Sequence, residues 1–264
     1  MNSVCFNITG FNAGVEAIFM SVLSDYFDKY YDAVVSIVNS AIGISIMIMP
    51  LATQFLLDLY GWRGALLILA GLNLHLVVCG ATLRTVSQQQ GHCESPNTKL
   101  RVGRTVSKRL HCLSLMFLGL GAGYVITGWT VYLLPHALDL NFTPYEAALL
   151  ATFGGFGHAF GSFIFPIFAN CFSTKQWLYV TTAFNCIALA IYPLSAHYNT
   201  YAGLAISCVT SGMGRAILYI TLYKIINESF GDDDKSNVML WCLFANSVGS
   251  LLSGFLSGKS DSML

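Results

Sequence analysis

The sequence predicts an all-α, polytopic membrane protein of about eight transmembrane helices. Three observations carry that reading. Of 264 residues, 55 % are hydrophobic and only 10 % are charged, against about 25 % charged in soluble domains. The mean hydropathy of +0.62 is far too apolar for a disordered chain. Apolar runs recur along the whole length, each near the roughly 20 residues a helix needs to cross a bilayer, and they lack the strict alternation of strands. Lipid admits backbone whose hydrogen bonds close internally, which a helix achieves alone.

The spans follow in order. The first, 4–24, is apolar but carries Asn7, Asn12 and Glu16. The second, 33–57, contains Gly43 and Pro50, and the third, 62–83, is rich in leucine. The fourth, 111–134, holds Gly119, Gly121 and Gly123, and the fifth, 145–169, holds Gly154, Gly155, Gly157 and Gly161. The sixth covers 176–194. The seventh, 201–226, contains Arg215, and the eighth is 237–257. Glycines within spans let helix backbones approach closely in lipid, so they require no phosphate-binding loop.

Charge sets the expected topology. Residues 84–110 carry Arg84, Lys99, Arg101, Arg104, Lys108 and Arg109 against Glu94 alone, six of the 13 basic residues. The excess of basic residues places this segment in the cytoplasm. Alternation then puts 58–61, 135–144 and 195–200 outside. The sequons at Asn7 and Asn141 fall outside with them, and a third at Asn227 falls inside.

Several functions are excluded. The net charge is zero, which leaves no cationic excess to neutralise nucleic-acid phosphates. Cys79, Cys186, Cys208 and Cys242 lie within apolar runs, as small hydrophobes do, and no Cys/His spacing suits a metal. No metal and no cofactor is therefore expected. The N-terminus lacks a basic region and cleavage site, so no signal peptide is expected. No nucleophile elbow, zinc-protease motif or P-loop appears, so the chain reads as a non-enzyme.

A family resemblance rests on particular residues. Gly61-Trp62-Arg63-Gly64, a leucine-rich run with Gly71, then Cys79-Gly80-Ala81 and Arg84, resemble the sixth helix of the monocarboxylate transporter family of the major facilitator superfamily. Tyr26-Phe27-Asp28-Lys29 leads into a helix similar to that family's fifth. Residues 243–254, from Leu243 through Asn246 and Gly249 to Gly254, are similar to its eleventh. In that register the first span is family helix four. The resemblance thus implies a partial major facilitator fold, with helices one to three and helix twelve missing, as in a fragment or short form. It implies a partial N-terminal bundle at 1–83 (helices four to six), a cytoplasmic linker at 84–110 and a partial C-terminal bundle at 111–264 (helices seven to eleven).

One departure bears on coupling. Family helix eight often carries an acid and an arginine one turn apart, associated with proton coupling. Here His158 stands for the acid and Ser162 for the arginine, which puts proton-coupled transport in doubt.

Five residues are candidate substrate contacts. Arg215 lies mid-span, where a charge is costly and usually faces a cavity or partner, and guanidinium binds carboxylate bidentately. Glu16 is its acidic counterpart. His158 could carry a proton. Tyr124 and Thr127 could shape a small-anion pocket. The bland readings are an arginine paired to a neighbouring helix, a snorkelling Glu16 and a buried neutral imidazole. The expected function is transport of a small monocarboxylate or related organic solute by alternating access. Its setting would be the lipid bilayer, by sequon placement the plasma membrane. By the same resemblance, an accessory single-span glycoprotein would be its partner. The alternative is a non-transporting, truncated membrane protein that is inactive or acts only by associating with another membrane protein.

Overall fold

A computed structural model describes residues 31–75, 101–169, 171–198, 200–230 and 232–260. They form helices α1 (Tyr31–Asn73), α2 (Arg101–Asp139), α3 (Pro144–Phe168), α4 (Thr174–His197), α5 (Tyr201–Ser229) and α6 (Asp232–Ser260), with no strand among the described residues. All six contain a stretch long and apolar enough to cross a membrane. The expected span 4–24 lies outside the described residues, as does 76–83, the end of the third expected span.

Two boundaries differ from the sequence expectation. The connection at 58–61 is reduced to one non-helical residue, Gly61, with φ 65° and ψ 179°. At 43 residues and a rise of about 1.5 Å each, α1 would otherwise reach about 65 Å, twice the hydrocarbon thickness. Glycine has no Cβ to clash in this backbone region, so it alone turns the chain. The guanidinium of Arg63 then lies 5.1 Å from the centre of the Trp62 ring, a cation–π contact. The second difference is at 101–110, where α2 already begins inside the basic linker.

The described helices fall into two compact units. One contains α2 up to Val131, α5 from Leu222 and α6. Its core joins Leu115 to Leu222, Ile226, Phe230, Val238 and Cys242. Here α2 and α6 run parallel, with backbones close enough that a Cβ at Gly119 would sit 2.8 Å from the Cys242 carbonyl and one at Gly249 3.0 Å from the Tyr124 nitrogen. Ser250 donates to the Gly123 carbonyl at 3.4 Å.

The other unit contains α1 from Asp32, α2 from Tyr132, α3, α4 and α5 up to Thr221. Helix α3 begins with a capping box: Glu146 N–H donates to Thr143 Oγ1 at 3.3 Å, and Thr143 N–H donates to Glu146 Oε2 at 2.8 Å. Pro144 at the helix start adds the fixed φ that suits a first turn. Large apolar side chains point away from the packed faces, with Leu67 and Phe117 each 75 % exposed. A surface of that kind suits lipid rather than water.

Candidate functional site

The site is built on α3, whose two sides pack on different helices. One side faces α1: a Cβ at Gly43 would lie 2.8 Å from Ala159 Cα, and one at Gly155 2.8 Å from Met47 Cα. Thr152 donates to the Met47 carbonyl at 3.1 Å. The register runs 39 to 162, 43 to 159 and 47 to 155, an antiparallel contact. The other side faces α5, where a Cβ at Gly157 would lie 2.8 Å from Val209 Cα and one at Gly161 3.0 Å from Met213 Cα. Glycine at these positions lets the backbones touch.

A buried polar node closes the junction of α1, α3 and α5. Asn39 Nδ2 donates to Ser162 Oγ at 3.0 Å and to the Ala216 carbonyl at 3.3 Å. Ser162 Oγ donates in turn to the His158 carbonyl at 2.9 Å. All of these residues are buried. Ser162, which stands where the resembled family often has arginine, thus takes part in a neutral hydrogen-bond network. Asn39 was not among the residues singled out from sequence. A signal was present, because an amide inside an apolar run must find an interhelical partner in lipid.

Next to this node lie two of the five candidates. Arg215 is 8 % exposed and His158 is 3 % exposed. Arg215 Nε and His158 Nδ1 are both buried without a hydrogen-bond partner. The two are close enough to act on each other electrostatically. Among the described residues, the other ionisable side chains acting on Arg215 are Tyr219 and Cys208, neither a carboxylate. The Arg215 guanidinium is directed at α3: a Cβ at Gly154 would be 3.4 Å from Nη2. A buried cation with donors to spare is suited to receive an anion.

The other three candidates are not part of this unit's described residues. Tyr124 is exposed and Thr127 half-buried; both lie on the part of α2 that belongs to the other compact unit. Glu16 lies outside the described residues. Among the described residues no group of three or more His, Cys, Asp or Glu could hold a metal. Cys112, Cys171, Cys186, Cys208 and Cys242 are free thiols.

Six helices long and apolar enough to cross a membrane fit an integral membrane protein, and the comparisons agree. The Major Facilitator Superfamily model matches residues 4–254, and the chain belongs to that superfamily. Within it, the chain is similar to monocarboxylate transporters. Monocarboxylate transporter 11 of Mus musculus is 38 % identical over 144 residues, 53 % of this chain and 32 % of the relative. Monocarboxylate transporter 13 of Rattus norvegicus is 26 % identical over 254 residues, 90 % of this chain and 55 % of the relative. Monocarboxylate transporter 6 of Homo sapiens is 25 % identical over 237 residues, 80 % of this chain and 47 % of the relative. The chain spans about a third to just over half of the length of these relatives. No solved structure matches it.

Proposed function

We propose that this chain serves transmembrane transport of a small monocarboxylate or related organic anion by alternating access, with Arg215 as the anion anchor. The observation that carries the proposal is the Arg215 guanidinium, buried beside His158 with Nε lacking a hydrogen-bond partner. An intramembrane arginine is costly to insert and marks a substrate path by default. An incoming carboxylate would supply the charge and acceptors that the described residues do not. The names of the relatives, monocarboxylate transporters, support the same class of substrate.

In this reading the chain contributes about eight spans, with 1–83 and 111–264 as parts of two bundles joined by the linker 84–110. Carriers of this type work by rocking one bundle against the other around a central site. His158 lies beside the anchor; Tyr124, Thr127 and Glu16 are further contacts, to be tested separately. The plasma membrane is the proposed location, and an accessory single-span glycoprotein the proposed partner.

The test is uptake of radiolabelled organic anions into oocytes, by this chain and by a chimera in which a monocarboxylate transporter supplies the regions the chain does not match. Surface abundance is measured in parallel. Arg215→Ala is expected to abolish uptake at unchanged surface abundance. Uptake equal to that of the unsubstituted protein would remove Arg215 from the site.

A further inference from the structure

We infer that Asn39 is the latch of an inner gate: its side-chain amide holds α1 against α3 and α5 on the cytoplasmic side and lets go each time the carrier opens inward. This rests on the alternating-access reading, in which α1 belongs to one bundle and α3 and α5 to the other.

The contact between α1 and α3 is long and narrow. It runs from Asn39 opposite Ser162, through Gly43 against Ala159, to Met47 against Gly155 and Thr152. From Ser162 to Thr152 it covers about 15 Å of α3. Helix α1 leads towards the connection at 58–61, and α3 leads away from the turn before Pro144. The charge reading places both of those connections outside. Asn39 and Ser162 therefore mark the inner half of the contact, and Met47 and Thr152 the outer half.

Hydrogen bonds cross the contact at both ends, and they differ in what remains once they part. Thr152 Oγ1 donates to the Met47 carbonyl at 3.1 Å, but also to the Ala148 carbonyl of its own helix at 3.2 Å. Its proton has an acceptor at home, so little is lost by leaving α1. Ser162 Oγ likewise keeps the His158 carbonyl at 2.9 Å. On α1, the buried hydroxyls of Ser36 and Ser40 donate within the helix, to the Asp32 and Ile37 carbonyls. The Asn39 amide instead donates to Ser162 Oγ on α3 and to the Ala216 carbonyl on α5. Parting strands this amide unless water replaces its partners, and a stranded buried donor is costly. Opening towards the cytoplasm supplies that water, so the latch is reversible. Interhelical bonds of this kind are individually weak in membranes, which suits contacts broken once per cycle. Both acceptors also adjoin the candidate anchor: Ala216 follows Arg215 in the chain, and Ser162 holds the His158 carbonyl. The latch grips α3 and α5 where those two residues sit.

The test reads accessibility in the full chain, reconstituted in phosphatidylcholine nanodiscs. Reporter cysteines are placed at Ser36→Cys in the inner half and Ala148→Cys in the outer half, at positions 2 % and 4 % exposed. Each is reacted with a water-soluble maleimide, and modification is read by peptide mass spectrometry, which separates the reporter from the native thiols. Asn39→Leu keeps a side chain of similar size and loses both bonds. It is expected to speed labelling of the inner reporter about ten-fold, the ratio that two interhelical bonds represent, and to leave the outer reporter unchanged. Ser162→Ala removes the shorter bond and is expected to speed the inner reporter by less.

An inner rate that neither substitution changes overturns the latch. Equal acceleration of both reporters overturns it too, because the whole fold has then loosened. Acceleration by Asn39→Ala without acceleration by Asn39→Leu overturns it in favour of packing. If Asn39→Leu does not fold, the inner rate of Ser162→Ala decides. The transport reading fails by a different result, a chimera that reaches the surface and carries no anion, which leaves these labelling rates where they are.

Discussion

Replacing Asn39 with alanine removes the side chain that ties α1 to both α3 and α5. The two bonds lost measure 3.0 Å to Ser162 Oγ and 3.3 Å to the Ala216 carbonyl. Interhelical hydrogen bonds within a membrane average about 0.6 kcal/mol and reach about 1.7 kcal/mol. The shorter bond belongs in the upper part of that range and the longer in the lower. Neither acceptor is orphaned by the change. The Ala216 carbonyl lies inside α5, and Ser162 Oγ still donates to the His158 carbonyl at 2.9 Å. The full penalty for a stranded buried polar group therefore does not apply. The bonds come to about 1–2 kcal/mol. With the packing lost by a 1 % exposed side chain, Asn39→Ala should destabilise the chain by about 2 kcal/mol. The assay is denaturant unfolding in mixed micelles followed by tryptophan fluorescence, completed as a cycle with Ser162→Ala and the double variant. A coupling energy of about 0.6–1.7 kcal/mol is expected between positions 39 and 162. Zero coupling would refute the network, because it would mean that Asn39 acts through packing alone.

Two further outcomes follow from backbone geometry. Gly157→Ala, whose Cβ would lie 2.8 Å from Val209 Cα, should destabilise the α3–α5 contact by about 2–3 kcal/mol and lower the yield of monodisperse protein, while Gly154→Ala, whose Cβ would lie 3.4 Å from Arg215 Nη2, does not; equal behaviour of the two would refute the close α3–α5 approach at Gly157. Gly61→Ala should cost about 1–3 kcal/mol in the same unfolding assay, because φ 65° with ψ 179° is a region open essentially to glycine. Nothing lies within 4 Å of that Cβ position, so the whole loss is conformational, and an unchanged stability would show that α1 does not need the break.

Hydropathy made the spans legible because lipid imposes it on every residue facing outward. It is silent about the rotation of each helix. That Arg215 would lie beside His158, and not beside Tyr124 within one unit, depends on which faces of α3 and α5 meet, and those faces are chosen by Gly157, Gly161 and Gly212. Glycines mark close approach without naming the partner helix, so their sequence positions could not reveal the pairing. Asn39 escaped notice for a different reason. A search for charge within the membrane passes over a neutral amide, though an amide needs partners in lipid almost as strictly. Gly61 shows a third limit. The sequence suggested a four-residue connection, but a single residue with positive φ separates two helices as effectively as a loop. The start of α2 shows a fourth: basic composition marked 84–110 as a connection, yet its last ten residues are helical.

The turn between α2 and α3 contains a consequence for biosynthesis. Asn141 is exposed with φ 65°, and Thr143 two residues on spends its hydroxyl within the cap, donating to Glu146 Oε2 at 2.9 Å while receiving the Glu146 N–H. Transfer of a glycan to this sequon recruits that same hydroxyl and an extended acceptor segment. The folded cap and the modification therefore compete for one side chain. On the lumenal side, where the sequence reading places this turn, the oligosaccharide can be attached only before α3 closes its first turn. Occupancy at Asn141 would then be a timing mark, recording whether the nascent chain was modified ahead of its own helix nucleation.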